Sequence, residues 1–208
     1  ETVFKISRPF GPPLGLTEMP TSLISKINDF IDEEIKDKKI GAELDHGSKL
    51  VGQVKQEIKL PENLIEGELL NFFSALTKAY IKNAINKEVK NFRLIASWVI
   101  RQFENEYNPP HYHGGHVSGV GYLKLPETFG ESIQESKKEN SHGNINFIHG
   151  SKQFLSTGVV DQRPKLGDCY IFPNYMYHSV NPFFGKGERR SISFNAYIDE
   201  DIYNVYSL

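Results

Sequence analysis

The chain has 208 residues, a formal net charge of −2, seven histidines and one cysteine. A chain of this length favours one domain and can bury roughly 70% of its unfolded surface, so it needs no disulfide, and the lone Cys169 excludes an internal one. The near-neutral charge gives no footing for nucleic acid or an anionic membrane surface, no apolar run spans a bilayer, and the cysteine usage points to a reducing, cytoplasmic setting.

The N-terminal stretch ETVFKISRPF lacks the character of a signal peptide. Thr21 or Ser22 is placed to cap a helix whose apolar positions are Leu23, Ile24, Ile27, Phe30, Ile31 and Ile35. A second helix is marked by Asn63 and, three residues on, Glu66, a pairing that resembles a capping box. Leu69, Phe72, Phe73, Leu76, Tyr80 and Ala84 then fall on one stripe. Both stripes read as core packing. After about residue 90 the apolar period becomes strand-like. FRLIASWVIRQFE, SGVGYLKLP, GNINFIHG, GDCYIFP and RRSISFNAYI read as strands, with polar loops such as ESIQESKKENSHGN between them. Helices first and short strands after predict an α+β fold in a single domain, 1–208. Residues 1–90 would be mostly helical support and residues 91–208 a sandwich or jelly-roll core.

NPPHYHGGH puts three histidines within six residues. In an extended segment His111 and His113, at i and i+2, point to the same face and can converge on one ion. The best third ligand is distant, His178 in GDCYIFPNYMYHSVNPF, which cross-strand pairing would bring alongside. On these residues alone a solvated polar loop remains the alternative. His116 reads as a solvated loop histidine, and His46, His142 and His149 as surface residues without a role. In GERRSISFNAYI, alternation sets Arg189, Ser191, Ser193 and Asn195 on one face and Arg190, Ile192, Phe194 and Ala196 on the other. The apolar face can pack under the helices. The polar face can look into the barrel, where a guanidinium with a hydroxyl two residues on suits a carboxylate. A surface hairpin with solvated arginines is the plainer reading of that motif.

Taken together, these residues resemble the iron(II)- and 2-oxoglutarate-dependent oxygenases, and within them the prolyl-hydroxylase-like group, over roughly residues 92 to 199. In that family an HxD pair, a distal histidine and a later arginine follow one another. Here HYH, HSVNP and RRS stand in those places, with Arg189 eleven residues past His178. SGVGYL resembles the strand after the metal pair, and GDCYIFP the one leading to the distal histidine. The departure is His113 where the family has a carboxylate, a trait similar to that of a subgroup with phage and marine bacterial members.

The resemblance implies a double-stranded β-helix (jelly-roll, cupin-like) core with N-terminal helices on its major sheet. It implies iron(II) held by His111, His113 and His178, with 2-oxoglutarate and O2 as cosubstrates. Arg189, Ser191 and Tyr122 would hold the far carboxylate of 2-oxoglutarate, and no catalytic group beyond the metal ligands is implied. The implied reaction hydroxylates a C–H bond and releases succinate and CO2. A prolyl residue in a peptide or protein is the substrate by analogy, a small molecule being the other choice, with no nucleic acid or membrane partner. Segments 41–56 and 127–143 are candidates for a mouth over the site. Two rival readings are a three-histidine cupin-type metalloenzyme that ignores 2-oxoglutarate, and a non-catalytic metal-binding jelly roll. Neither gives Arg189, Ser191 and Tyr122 a task.

Overall fold

The computed structural model describes residues 4–7, 11–34 and 43–205. Among them, eleven strands form two antiparallel sheets. The larger runs in the order β1 (Lys5–Ser7), β2 (Leu14–Glu18), β9 (Asp168–Pro173), β6 (Val117–Lys124), β11 (Arg189–Tyr197), β4 (Arg93–Gln102), β3 (Gln56–Lys59). The smaller runs β5 (Asn108–His111), β10 (Tyr177–Val180), β7 (Ile145–Ile148), β8 (Val159–Gln162). Non-consecutive neighbours at the centre of each sheet make this a double-stranded β-helix, as expected.

Two apolar layers hold it together. Val120, Tyr122, Tyr170 and Phe172 of the larger sheet meet Ile145, Phe147 and Val180 of the smaller. On the outer face, α1 (Thr21–Glu34) and α2 (Glu68–Ile85) cover Val99, Cys169, Ile171, Ile192, Phe194 and Ala196. Leu23, Ile27 and Ile31 supply the α1 stripe, and Leu69, Phe73, Leu76 and Tyr80 that of α2, as their spacing predicted. Ile35 lies outside the described residues. Gly119 on β6 permits this close seating: a side chain there would strike the Phe194 ring, which stacks on Phe73 at 4.2 Å between centroids.

Arg190 is the polar exception on the outer face of β11, and the fold accommodates it with a buried ionic network. Its guanidinium donates to Glu188 (2.8 and 2.9 Å), Asp32 (2.6 Å) and Asn28 (3.0 Å), and Arg101 also binds Glu188 at 2.6 Å. Burial pushes the Glu188 carboxyl up, but the two arginines prevail and hold it down to about 2. Glu188→Ala leaves two guanidiniums without their shared partner and lowers unfolding stability by about 3–5 kcal/mol at neutral pH in urea titrations. Because the carboxyl is depressed in the folded state, its contribution is complete above the ordinary carboxylate range and disappears as pH falls toward about 2.

Several expectations for the first third need correction. Besides their helices, residues 1–90 contribute β1, β2 and β3, three strands of the larger sheet that were not expected. They are short edge-side strands, and three to five residues show too little alternation to stand out. The capping box at Asn63 and Glu66 does not form. Asn63 lies inside a single helical turn (Glu62–Ile65) that Glu66 ends, and Gly67, at φ 87°, breaks the chain before α2. Ser22 does not cap α1 but donates to Glu68 at 3.0 Å, tying the two helices. β8 was not foreseen at all. No helix among the described residues is long and apolar enough to cross a membrane.

Candidate metal centre

The three histidines come together. His111 on β5 pairs directly with His178 on β10. His113 lies just past β5, where its N–H donates to the Asn174 carbonyl at 3.1 Å and Asn174 Nδ2 donates back at 3.2 Å. The potential ligand atoms of His111, His113 and His178 all lie within 4.8 Å of one another. His111 Nδ1 sits 2.7 Å from the Pro109 carbonyl and His178 Nδ1 3.0 Å from the Met176 carbonyl. A carbonyl only accepts, so each Nδ1 carries the proton and each Nε2 lone pair is free for a metal. Burial, reinforced by mutual repulsion, keeps the rings neutral: His178 is held well below its ordinary range and His113 falls to about 3. Three neutral, converging imidazoles are a fit donor set for a divalent transition metal.

The triad opens on a cavity of about 300 Å³ between the sheets, also lined by Trp98, Ile145, Arg189, Ser191, Ser193 and Asn195. The polar face of β11 therefore forms one wall, as alternation required. Arg189 is 1% exposed, deep in the cavity, with Nε donating to the Gly143 carbonyl at 3.1 Å. Tyr122, opposite Ser191 on β6, is fully buried and does not line the cavity; its ring lies 4.9 Å from the Arg189 guanidinium carbon. Arg189 Nη2 and Tyr122 Oη are both buried without a hydrogen-bond partner. Orphaned donors in a dry interior are costly unless a ligand meets them. A guanidinium with an unsatisfied donor at one end of the cavity, backed by the buried Tyr122, and a metal triad on its wall fit an acid that carries a carboxylate at one end and a chelating keto acid at the other.

His116 does not join the triad, nor is it solvated. It is 6% exposed, stacks on Tyr203 at 3.9 Å, and its Nδ1 accepts from the Ile198 N–H at 3.1 Å, pinning the C-terminal turn. His142 is also enclosed, edge-on to Phe184. Of the expected mouth segments, Leu50, Val51 and Gly52 line the cavity, whereas residues 127–143 do not. The latter close the opposite end, where Gly143 meets Arg189.

Two wall residues escaped notice in the sequence, Glu57 and Asn108. Glu57 is 4% exposed, and burial, aided by Asp45, pushes its carboxyl up to about 7. Raised above its unfolded value, this group costs nothing below the ordinary carboxylate range, destabilises increasingly as pH rises from there toward about 7, and exerts its full cost above that. Glu57→Gln therefore stabilises the protein by about 1–2 kcal/mol at pH 8, allowing for partial solvent screening. In thermal melts the gain vanishes near pH 4.5.

Comparison with known proteins follows the geometry. A family profile described as "Putative 2OG-Fe(II) oxygenase" matches residues 96–195, a span from β4 to β11 that includes the triad and Arg189. Over that span, just under half of the chain, the sequence matches the iron(II)- and 2-oxoglutarate-dependent oxygenases. No curated protein matches it. Among solved structures, a collagen prolyl hydroxylase from Paramecium bursaria Chlorella virus-1, in its 2-oxoglutarate complex, superposes with TM-score 0.55 at 15% identity, covering 93% of this chain and 94% of that one. A Pseudomonas putida prolyl-4-hydroxylase gives 0.53 at 14%, covering 94% and 91%. A Trichoplax adhaerens prolyl hydroxylase, bound to a hypoxia inducible factor peptide fragment, gives 0.53 at 13%, covering 99% and 87%. At these identities the likeness is one of fold. The match implies iron(II) as cofactor, with 2-oxoglutarate and O2 as cosubstrates.

Proposed function

We propose that this oxygenase hydroxylates an aliphatic C–H bond, with conversion of 2-oxoglutarate to succinate and CO2, and that a prolyl residue in a peptide or protein is its substrate. The observation that carries the reaction is the pairing of a three-imidazole cluster with the unsatisfied guanidinium of Arg189 in one cavity, the unpartnered Tyr122 hydroxyl being buried behind its wall. In this reading His111, His113 and His178 hold the metal, and iron(II) supplies the oxidation when bound. Arg189 neutralises the far carboxylate of 2-oxoglutarate through its free Nη2, Tyr122 adds its hydroxyl proton, and Ser191 completes the wall. Trp98, Ile145 and Phe172 exclude water from the reacting carbon. No acid–base group is required beyond these. The prolyl assignment rests on the fold shared with the three hydroxylases and on the exposed aromatic rim, Tyr112 and Tyr177, whose rings lie 5.2 Å apart beside the triad.

Anaerobic addition of iron(II) and 2-oxoglutarate should produce the weak visible charge-transfer band of the chelate, and admission of O2 with a proline-containing peptide should release succinate. Absence of both, in protein that binds zinc at the same histidines, would defeat this reading in favour of a metalloprotein without 2-oxoglutarate chemistry.

A further inference from the structure

Glu57 lies in the same cavity as the histidine triad, on β3 at the edge of the larger sheet, with its side chain on the inner face beside Ile100. No hydrogen-bonding or cationic side chain meets its carboxyl among the described residues; the charge that bears on it is Asp45, of like sign. Asn108 Oδ1, also on the cavity wall, is buried and unpartnered. The two converge over Gly52: a methyl group on that residue would come within 2.5 Å of Asn108 Oδ1 and 2.8 Å of Glu57 Oε1. A glycine is needed there because the acceptors already crowd its position. Two acceptor oxygens, one of them a carboxylate, thus lie together against Gly52 on the cavity wall, and Asn108 Oδ1 receives no hydrogen bond. The cavity's own guanidinium, Arg189, stands elsewhere on the wall, where its Nε donates to Gly143.

We propose that Glu57 and Asn108 form the receptor for a protonated nitrogen of the prime substrate, an ammonium or guanidinium, so that the enzyme acts on a basic peptide whose cation lodges above Gly52. This rests on the oxygenase reading and specifies what it acts on. A buried carboxylate gains most from a cation that brings hydrogen-bond donors with it, and a neighbouring amide oxygen can take a second donor from the same nitrogen. The carboxyl's displacement to about 7 accords with a group kept waiting for such a partner. An acidic substrate would meet repulsion from both Glu57 and Asp45.

Trp98, the single tryptophan of the chain, lines this cavity and reports its occupancy by fluorescence. The test uses the whole chain loaded with zinc and 2-oxoglutarate at pH 8. Three end-capped pentapeptides with a central proline are titrated, flanked by lysine, alanine or glutamate, and followed by Trp98 fluorescence and calorimetry. The lysyl peptide should bind at least about tenfold more tightly than the glutamyl one, and E57Q should reduce that ratio to about twofold or less. Equal affinities, no binding of the lysyl peptide, or a preference that survives E57Q overturns the proposal. Titration of 2-oxoglutarate into the same zinc-loaded wild-type sample separates the two failures. If 2-oxoglutarate binds and the peptide preference is absent, only the cation receptor falls. If 2-oxoglutarate does not bind, the oxygenase reading falls with it.

Discussion

His178→Ala loses iron. In the proposed site His178 would supply one of three ligand nitrogens, and two imidazoles from one short segment, His111 and His113, would not enclose an ion from two sides. Loss of an outer-sphere partner alone typically costs 10–100-fold in metal affinity, so removal of a ligand should cost at least about 100-fold. After anaerobic loading and desalting, iron content measured by elemental analysis should fall from near stoichiometric to below about 5%, with no succinate formed. His178 also packs edge-on against Phe172 at 5.0 Å, so part of any stability loss is that of a core side chain. His113→Asp is the informative companion. It keeps three donors and should retain iron, separating the number of ligands from their kind. A His178→Ala protein that keeps its iron would mean that the metal sits elsewhere.

Arg189→Ala weakens 2-oxoglutarate binding by about 30- to 3,000-fold, corresponding to the 2–5 kcal/mol typical of truncating one partner of a buried charge pair. The free protein should not suffer in proportion. Arg189 is buried with Nη2 unsatisfied, and burial lowers its pKa, so the unliganded fold already carries part of the cost of that charge. Iron content should stay normal, since Arg189 is no ligand. Calorimetric titration of 2-oxoglutarate into zinc-loaded protein measures the first effect, and urea unfolding without ligand the second. A cupin-type enzyme indifferent to 2-oxoglutarate would show no difference in the titration.

The core of this site was readable because its residues obey simple periods. His111 and His113 stand two apart, and Arg189, Ser191, Ser193 and Asn195 follow the strand repeat of β11, so each set faces one way once the strands are recognised. The five strands expected after residue 90 all form, because each is long or bounded by glycine and proline. Their pairing was not readable from period alone; it came with the family resemblance. Glu57 shows why the remainder was hidden. In KQEIKLPEN it looks like one more solvated charge, and only the four-residue pairing of β3 with β4 turns it inward. Asn108 sits similarly in what reads as a polar loop. His116 was mistaken for a solvent residue because HGGH suggests a mobile turn, while the aromatic rings of Tyr197 and Tyr203 that enclose it arrive from eighty or more residues away.

The division of the site between the two sheets has one further consequence. The imidazoles rise from β5, β10 and the chain just beyond β5, whereas the guanidinium stands on β11 of the opposing sheet. A dicarboxylic acid gripped at both ends would act as a strut between the two halves of the sandwich, resisting their separation for as long as it stays intact. If the proposed reaction holds, succinate, one carbon shorter and without the keto group, would no longer reach both anchorages equally well. Decarboxylation would thereby loosen the brace and let the spent acid go.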